Sequence, residues 1–415
     1  MIPLIILGAV LLLIIVRTLV KIRLEIWLIM LIGALAVLIT LQITPIDAFH
    51  AIDFDVIILL FCMFIVGNAM NDSGYLLDLA HHIFGKTKST NSLLLVFILT
   101  VGIFAMIFTN DTIAIIGSIL CFALAKDCEM DAKVLLLTLA VSITSLCVLS
   151  PIGSPQNLLI ASAPVFQNAF IEFFVYQIVP TALSVAFIFF FIRRMIPKKQ
   201  ISLDADSVCY IKDIKLYHIS RLSIILMLIL IVLKIILNHF VPDFDFKFMY
   251  IAIAGALPIV LFSHERFRVV KEVDWRTLVF FCAMFILMRA VWDSSVMQDL
   301  LGNLPSNAND TMTVYLIGLL ISQLISNVPL VTLYLPILEG TSAGINSYLA
   351  LLAGSTLAGN LTILGAASNV IVIQRGEREG IVISFWDFFK IGFPICVVQS
   401  VIYIVYFKLL SLIIA

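Results

Sequence analysis

Apolar stretches of about 20 residues recur from one end of this 415-residue chain to the other, each long enough to cross a hydrocarbon core ~30 Å thick. That recurrence fixes the fold class first. A segment in lipid has no water to satisfy its backbone, so spanning segments are helices or strands of a closed barrel. Continuous apolar runs of this length read as helices. Composition agrees, with 62% hydrophobic and 12% charged residues where soluble domains carry ~25% charged. The reading is an all-α polytopic membrane protein. A net charge of −1 with no basic domain leaves no footprint for nucleic acid. The seven cysteines (Cys62, Cys121, Cys128, Cys147, Cys209, Cys282, Cys396) form no CxxC pair and no cluster with histidine, so they read as free thiols. The first apolar run lacks a small-residue cleavage site and leads at once into another, which reads as a retained first helix.

Spans are expected near 3–20, 24–44, 54–71, 172–194, 222–241, 248–264, 275–292 and 388–413, with interrupted spans at 134–168 and 347–374. Two further apolar stretches, 92–125 and 312–338, are each split by a polar tip. Lysine and arginine set the orientation. With the N-terminus outside, Lys21, Arg23, Lys86, Lys88, Lys126, Lys133, Arg193, Arg194, Lys198, Lys199, Lys212, Lys215 and Arg221 fall inside. So do Arg266, Arg268, Lys271, Arg276, Arg375, Arg378 and Lys390, while Lys247 lies in an outer loop and Lys408 near the outer end of the last span. The scheme requires 92–125 and 312–338 to enter and leave on one side, as re-entrant hairpins. Trp27, Trp275 and Trp386 then mark inner boundaries and Trp292 an outer one.

The chain repeats itself. "LLFCMFIVGNAMNDSG" (59–74) matches "VFFCAMFILMRAVWDSS" (279–295), placing Met63 on Met284 at an offset of 221. "FTNDTIAIIGSIL" (108–120) matches "ISNVPLVTLYLPIL" (325–338), with Asn110 on Asn327. "SPIGSPQNLLI" (150–160) matches "TILGAASNVIVI" (362–373), with Gly153 on Gly365 and Asn157 on Asn369 at an offset of 212. Each half holds five spans and one hairpin. Five is odd, so the second half sits inverted, the architecture of secondary transporters. The expected organisation is a first repeat over 1–195, a cytoplasmic linker over 196–218 and a second repeat over 219–415, with both termini outside.

The interruptions carry the chemistry. Pro151 and Pro155 remove backbone donors, and irregular backbone at bilayer depth survives only when buried in protein or lining a wet cavity. Exposed carbonyls there can coordinate a cation and the half-helix N-terminus can hold an anion. A packed proline kink is the plainer alternative; the proline-free twin at 362–369 favours the functional reading. The tips Thr109-Asn110-Asp111-Thr112 and Ser326-Asn327-Val328-Pro329 place hydroxyls and amides where each hairpin turns, and each tip is expected beside the broken helix of its own half, with room for substrate between. Candidate substrate ligands are Thr109, Asn110, Thr112, Ser326, Asn327, Ser154, Asn157 and Asn369. Candidate cation ligands are Asn110, Asp111, Gly153, Asn157, Asn327, Gly365, Ser368 and Asn369. Asp111 is the one carboxylate expected near the midplane; intramembrane acids are costly and functional by default, though aspartate is also a good helix N-cap. Arg289 lies four residues before Asp293 and reads as a local pair snorkelling to the surface; Lys234 reads the same way. "YLLDLAHHIFGK", with His81 and His82, reads as an interfacial helix. No Walker motif, nucleophile–base pair, haem ligand set or zinc site is present in the sequence, so neither enzyme chemistry nor a cofactor is expected.

These residues resemble the ion transporter superfamily, especially its anion-permease branch of divalent anion/sodium symporters, citrate-type carriers, arsenite permeases and related sodium/proton antiporters. "GSPQN" is similar to the Gly-Thr-Pro-Pro-Asn pattern of the symporters, with Gln156 replacing the second proline. "FTNDTIAII" looks like an arsenite-permease tip and "SNVPLVTLYLPI" like an antiporter tip. The resemblance implies a homodimer in the cell's inner membrane, with a scaffold and an elevator-like transport domain. It implies transport of a small anion, a di- or tricarboxylate or an oxyanion such as arsenite, coupled to sodium or protons. A sodium/proton antiporter and an ion channel stay open as alternatives.

Overall fold

The structure, a computed structural model, describes residues 2–20, 25–85, 87–197, 199–200, 211–240, 246–294, 309–341 and 343–414. Lys21, Arg23, Lys86, Lys198, Cys209 and positions 201–210 of the expected linker lie outside the described residues.

Nineteen described helices follow in order: α1 (Ile2–Val20), α2 (Ile26–Ile39), α3 (Pro45–Ala51), α4 (Phe54–Ser73), α5 (Tyr75–Phe84), α6 (Thr90–Ile107), α7 (Asn110–Asp127), α8 (Ala132–Leu146), α9 (Pro155–Ala161) and α10 (Ala169–Ile192). Then come α11 (Ile214–Phe240), α12 (Phe248–Phe262), α13 (Arg266–Lys271), α14 (Trp275–Trp292), α15 (Thr311–Ile325), α16 (Asn327–Gly340), α17 (Ile345–Leu357), α18 (Ala367–Arg378) and α19 (Phe385–Ile414). Seven are long and apolar enough to cross a membrane, and four shorter apolar helices accompany them. Their outward sides remain apolar: Val175, Val179, Leu183 and Phe190 of α10 are each more than half exposed, as a lipid-facing surface requires. α2 ends five residues short of the expected span, because Leu41 turns with φ 54° and Thr44 then caps the short α3. α5 forms on the amphipathic stretch that holds His81 and His82.

The helices pack as two bundles. One joins α1, α2, α4, α11, α12 and α14, with α4 against α12 and α2 against α14. The other joins both hairpins (α6/α7 and α15/α16), both broken helices (α8/α9 and α17/α18), α10 and α19. Each half contributes the same succession of elements to each bundle. Contacts also exchange across halves in matched fashion: α7 packs on α18, and α9 on α16. At the junction of α10 and α19, Thr181 Oγ1 and Tyr403 Oη lie 2.7 Å apart; these positions are 222 residues apart in sequence.

Asp53 and Asp274, 221 apart, begin α4 and α14 alike, Asp53 accepting the backbone N–H groups of Asp55 and Val56 and Asp274 that of Thr277, as an N-cap does. Arg289 pairs with Asp293 at 2.8 Å, as the sequence implied. Lys234 differs from the snorkelling expected of it. It is buried, with its ammonium donating to the carbonyl of Phe246 and lying 4.4 Å from the ring centre of Phe248. Aromatic faces attract a desolvated cation, which a lysine on an otherwise apolar helix can use instead of water.

Candidate functional site

Each hairpin turns over two residues or fewer. In the first, α6 stops at Ile107, Phe108 and Thr109 are extended, and Asn110 opens α7. The backbone N–H of Asn110 donates to the Gly153 carbonyl at 3.0 Å, and its Nδ2 donates to Cys147 Sγ at 3.4 Å. The tip therefore meets the break in α8/α9, part-way along that element. In the second hairpin Ser326 alone makes the turn, at φ 73° and ψ 158°, a region that favours glycine. Gln323, one turn before it, donates to Ala358 O at 2.6 Å and accepts from Thr362 Oγ1 at 2.8 Å, which docks this hairpin on the break between α17 and α18.

The two breaks are closed by the same side-chain device. Asn157 Nδ2 donates to the carbonyls of Cys147 (2.8 Å) and Ser150 (3.0 Å). Asn369 Nδ2 donates to those of Gly359 (2.6 Å) and Thr362 (3.3 Å). Both asparagines reach back 10 and 7 residues, and every partner is displaced by 212. Pro155 suits the first turn of α9, where no donor is needed. Gly153 is required by proximity: a Cβ there would stand 2.7 Å from the Ala105 carbonyl. The repeats are also bonded to each other. Thr356 Oγ1 donates to Asn157 Oδ1 at 3.0 Å, and Ser145 Oγ accepts from both Asn360 Nδ2 (2.9 Å) and Gln399 Nε2 (2.8 Å).

Between the tips and breaks lies one cavity of about 480 Å³. Of the residues singled out in the sequence, Asn110, Asp111, Ser154, Ser326, Asn327 and Ser368 line it. Thr109, Thr112, Gly153, Asn157, Gly365 and Asn369 lie behind its surface: Thr109 and Thr112 bond to each other through their hydroxyls at 3.0 Å, and the two asparagines hold the breaks. Several buried oxygens at the tips and breaks have no hydrogen-bond partner: Asn110 Oδ1, Ser154 Oγ, Asn327 Oδ1, Ser368 Oγ and Asn369 Oδ1. Native proteins rarely leave such groups unsatisfied, and amide and hydroxyl oxygens of this kind can serve as ligands to a hard cation.

The sequence reading missed the other wall. Glu25 and Trp27 at the start of α2, and Asp274, Arg276, Thr277, Phe280 and Phe281 at the start of α14, complete the cavity. Thr144 and Thr356 also line it. They are 212 residues apart, so the register of the breaks could have found them. The lining holds three carboxylates, of Glu25, Asp111 and Asp274, and one guanidinium, that of Arg276. Arg276 Nη1 lies 2.7 Å from both oxygens of Glu25, and Trp27 Nε1 donates to Glu25 Oε2 at 2.7 Å.

Comparison with known proteins places this architecture. The crystal structure of the YdaH transporter of Alcanivorax borkumensis superposes with a TM-score of 0.55 over 86% of this chain and 85% of that one, at 12% identity, a likeness of fold. The chain is 26% identical to an uncharacterized transporter of Mycobacterium tuberculosis over 90% of its own length and 91% of the relative's. It is 24% identical to the 46 kDa membrane protein of Mycobacterium leprae over 88% and 89%. It is 31% identical to the P protein of Sus scrofa over 42% of its length, a match that spans 23% of that longer protein. A family model described as citrate transporter matches residues 9–353. This multi-pass membrane chain, whose relatives over most of its length include uncharacterized transporters, belongs to the citrate transporter family.

Proposed function

We propose that the chain is a secondary active transporter that moves a small anion bearing carboxylates, or an oxyanion, coupled to a sodium or proton gradient. One observation carries the reading: both hairpin tips and both breaks converge on a single cavity lined by buried amide and hydroxyl oxygens that have no hydrogen-bond partner. Acceptors of that kind, beside the Asp111 carboxylate, suit a small cation. The helix N-termini that start at Asn110, Pro155, Asn327 and Ala367 suit an anion's oxygens. A cavity of about 480 Å³ accommodates a di- or tricarboxylate together with its coupling ion. Because the cavity lies between the two bundles, sliding one past the other would carry its contents between faces. The two repeats, 1–195 and 219–415, are related by inversion in this reading, the linker is cytoplasmic, and the protein works as a homodimer in the inner membrane.

The three carboxylates against one guanidinium give a second reading specific support: a sodium/proton antiporter with no organic substrate. The thermal stability of the purified protein separates the two, because a ligand that binds the native state raises stability by linkage. Stability is measured across sodium, lithium, potassium and pH, with and without citrate, succinate and arsenite. Stabilisation by sodium or protons together with one anion class, lost in Asn110→Ala and Asn327→Ala, is the result expected of the symporter. Stabilisation by sodium alone, competed by protons and lost in Asp111→Asn, would replace it with the antiporter.

A further inference from the structure

The Glu25–Arg276 pair has a counterpart with its charges reversed. Lys247 at the start of α12 pairs with Asp55 at the start of α4, at 2.8 Å. By repeat register Lys247 stands where the first half has Glu25, 222 residues earlier, and Asp55 stands where the second half has Arg276, 221 residues later. One pair ties α2 to α14 and the other ties α12 to α4, and each lines a cavity between the bundles, of about 480 and 440 Å³. A tie between two helix ends is therefore satisfied by either polarity, and packing alone does not dictate an arginine at position 276.

The two partners are also lightly held. The Arg276 side chain is 67% exposed and that of Glu25 48%. Ion pairs exposed to this degree contribute little to stability, so an incoming carboxylate can exchange for one already there. A guanidinium meets a carboxylate through a planar fork that a lysine cannot reproduce. Among the described residues, Arg276 is the only cationic side chain lining the cavity of the tips and breaks; the charges that face it are Glu25, Asp274 and Asp111.

Resting on the transport reading above, we propose that Arg276 binds a carboxylate of the transported anion, and that Glu25 occupies that position in the empty protein as a stand-in for the substrate. Arrival of the anion transfers Arg276 from Glu25 to the ligand, while Trp27 keeps Glu25 at the mouth through its indole N–H. Glu25 is then a competitor that sets affinity, and Arg276 a specificity-determining residue for carboxylates over uncharged molecules of the same size.

The test is a citrate titration of purified full-length protein, read as thermal stabilisation, in wild type, Glu25→Gln, Arg276→Gln, Arg276→Lys and the charge-swapped pair Glu25→Arg/Arg276→Glu. Glu25→Gln is expected to lower the half-maximal citrate concentration several-fold. Arg276→Gln is expected to raise it at least tenfold, with Arg276→Lys between, and the swapped pair is expected to regain stability without regaining affinity. Recovery of wild-type affinity in the swapped pair, or equal weakening by Glu25→Gln and Arg276→Gln, would show a structural tie and overturn the assignment while leaving the transport reading standing. Wild-type protein stabilised by no carboxylate would overturn the assignment of Arg276, and stabilisation by neither a carboxylate nor arsenite, with or without sodium, would overturn both.

Discussion

Asn157 makes three buried hydrogen bonds, and its replacement by leucine, which keeps the branching at Cγ, removes all of them. Its Nδ2 serves the carbonyls of Cys147 and Ser150, and its Oδ1 accepts from Thr356. Neither carbonyl is left bare, because Ser150 N still donates to Cys147 O at 3.1 Å and Gly153 N to Ser150 O at 3.4 Å. The cost per bond therefore falls at the low end of the range for buried groups, about 1 kcal/mol each, giving a loss of about 2–4 kcal/mol in total. Thr356→Val removes one of the same bonds and should cost about 1 kcal/mol. The two changes share that bond, so the double variant should be more stable than additivity implies by about 1 kcal/mol, well above the usual scatter for independent sites. The assay is unfolding in mixed micelles titrated with sodium dodecyl sulfate and followed by tryptophan fluorescence, with Asn369→Leu in parallel. Additive costs for Asn157→Leu and Thr356→Val would refute the cross-repeat bond. Wild-type stability in Asn157→Leu with binding abolished would refute the whole assignment and make Asn157 a direct ligand.

Three further outcomes follow from the geometry. Ser326→Gly should stabilise the protein by about 1 kcal/mol in the same unfolding assay, because the left-handed backbone there costs a serine ~1–3 kcal/mol and glycine little. Gly153→Ala should abolish citrate-dependent stabilisation while the protein still reaches the membrane, since the added methyl meets the Ala105 carbonyl, shifts the break and displaces the tip bonded to it. Lys199 beside Glu129 holds that carboxyl below its usual range; such a group stabilises the fold above its unfolded pKa and loses the contribution as pH falls through the lowered folded value. Glu129→Gln should therefore slightly flatten the acid limb of a stability–pH curve, with transport at neutral pH unchanged, because the side chain lies on the surface far from the tips.

The parts of this architecture legible in the sequence are those where a polar residue interrupts an apolar run. Asn110 and Asn327 mark the tips because nothing else explains an amide at the centre of a long apolar stretch, and both hairpins turn where those residues stand. Pro151, Gly153 and Pro155 mark the first break for the same reason. Asn157 and Asn369 were as visible, but an amide can serve a ligand or a loop equally well. Their amide nitrogens bond to carbonyls 10 and 7 residues back, a use that spacing alone does not separate from ligation, while Asn369 Oδ1 has no partner. The second wall of the cavity is not legible. Glu25 and Arg276 stand at helix ends where charged residues ordinarily mark a membrane boundary, and a separation of 251 positions gives no local pattern. Lys234 shows the same limit, since burial against Phe246 and Phe248 depends on a neighbouring helix that local sequence does not disclose.

Coupled transport is the central claim, and accumulation tests it most directly. Purified protein is reconstituted into liposomes and uptake of radiolabelled citrate is followed under an imposed sodium gradient, an imposed proton gradient, and neither, with Asn110→Ala and Asn327→Ala alongside. Citrate should rise above its external concentration under one of the gradients, with saturable kinetics, and both variants should abolish that rise. Citrate that only equilibrates, without saturation and regardless of gradient, would contradict coupled transport and identify a channel.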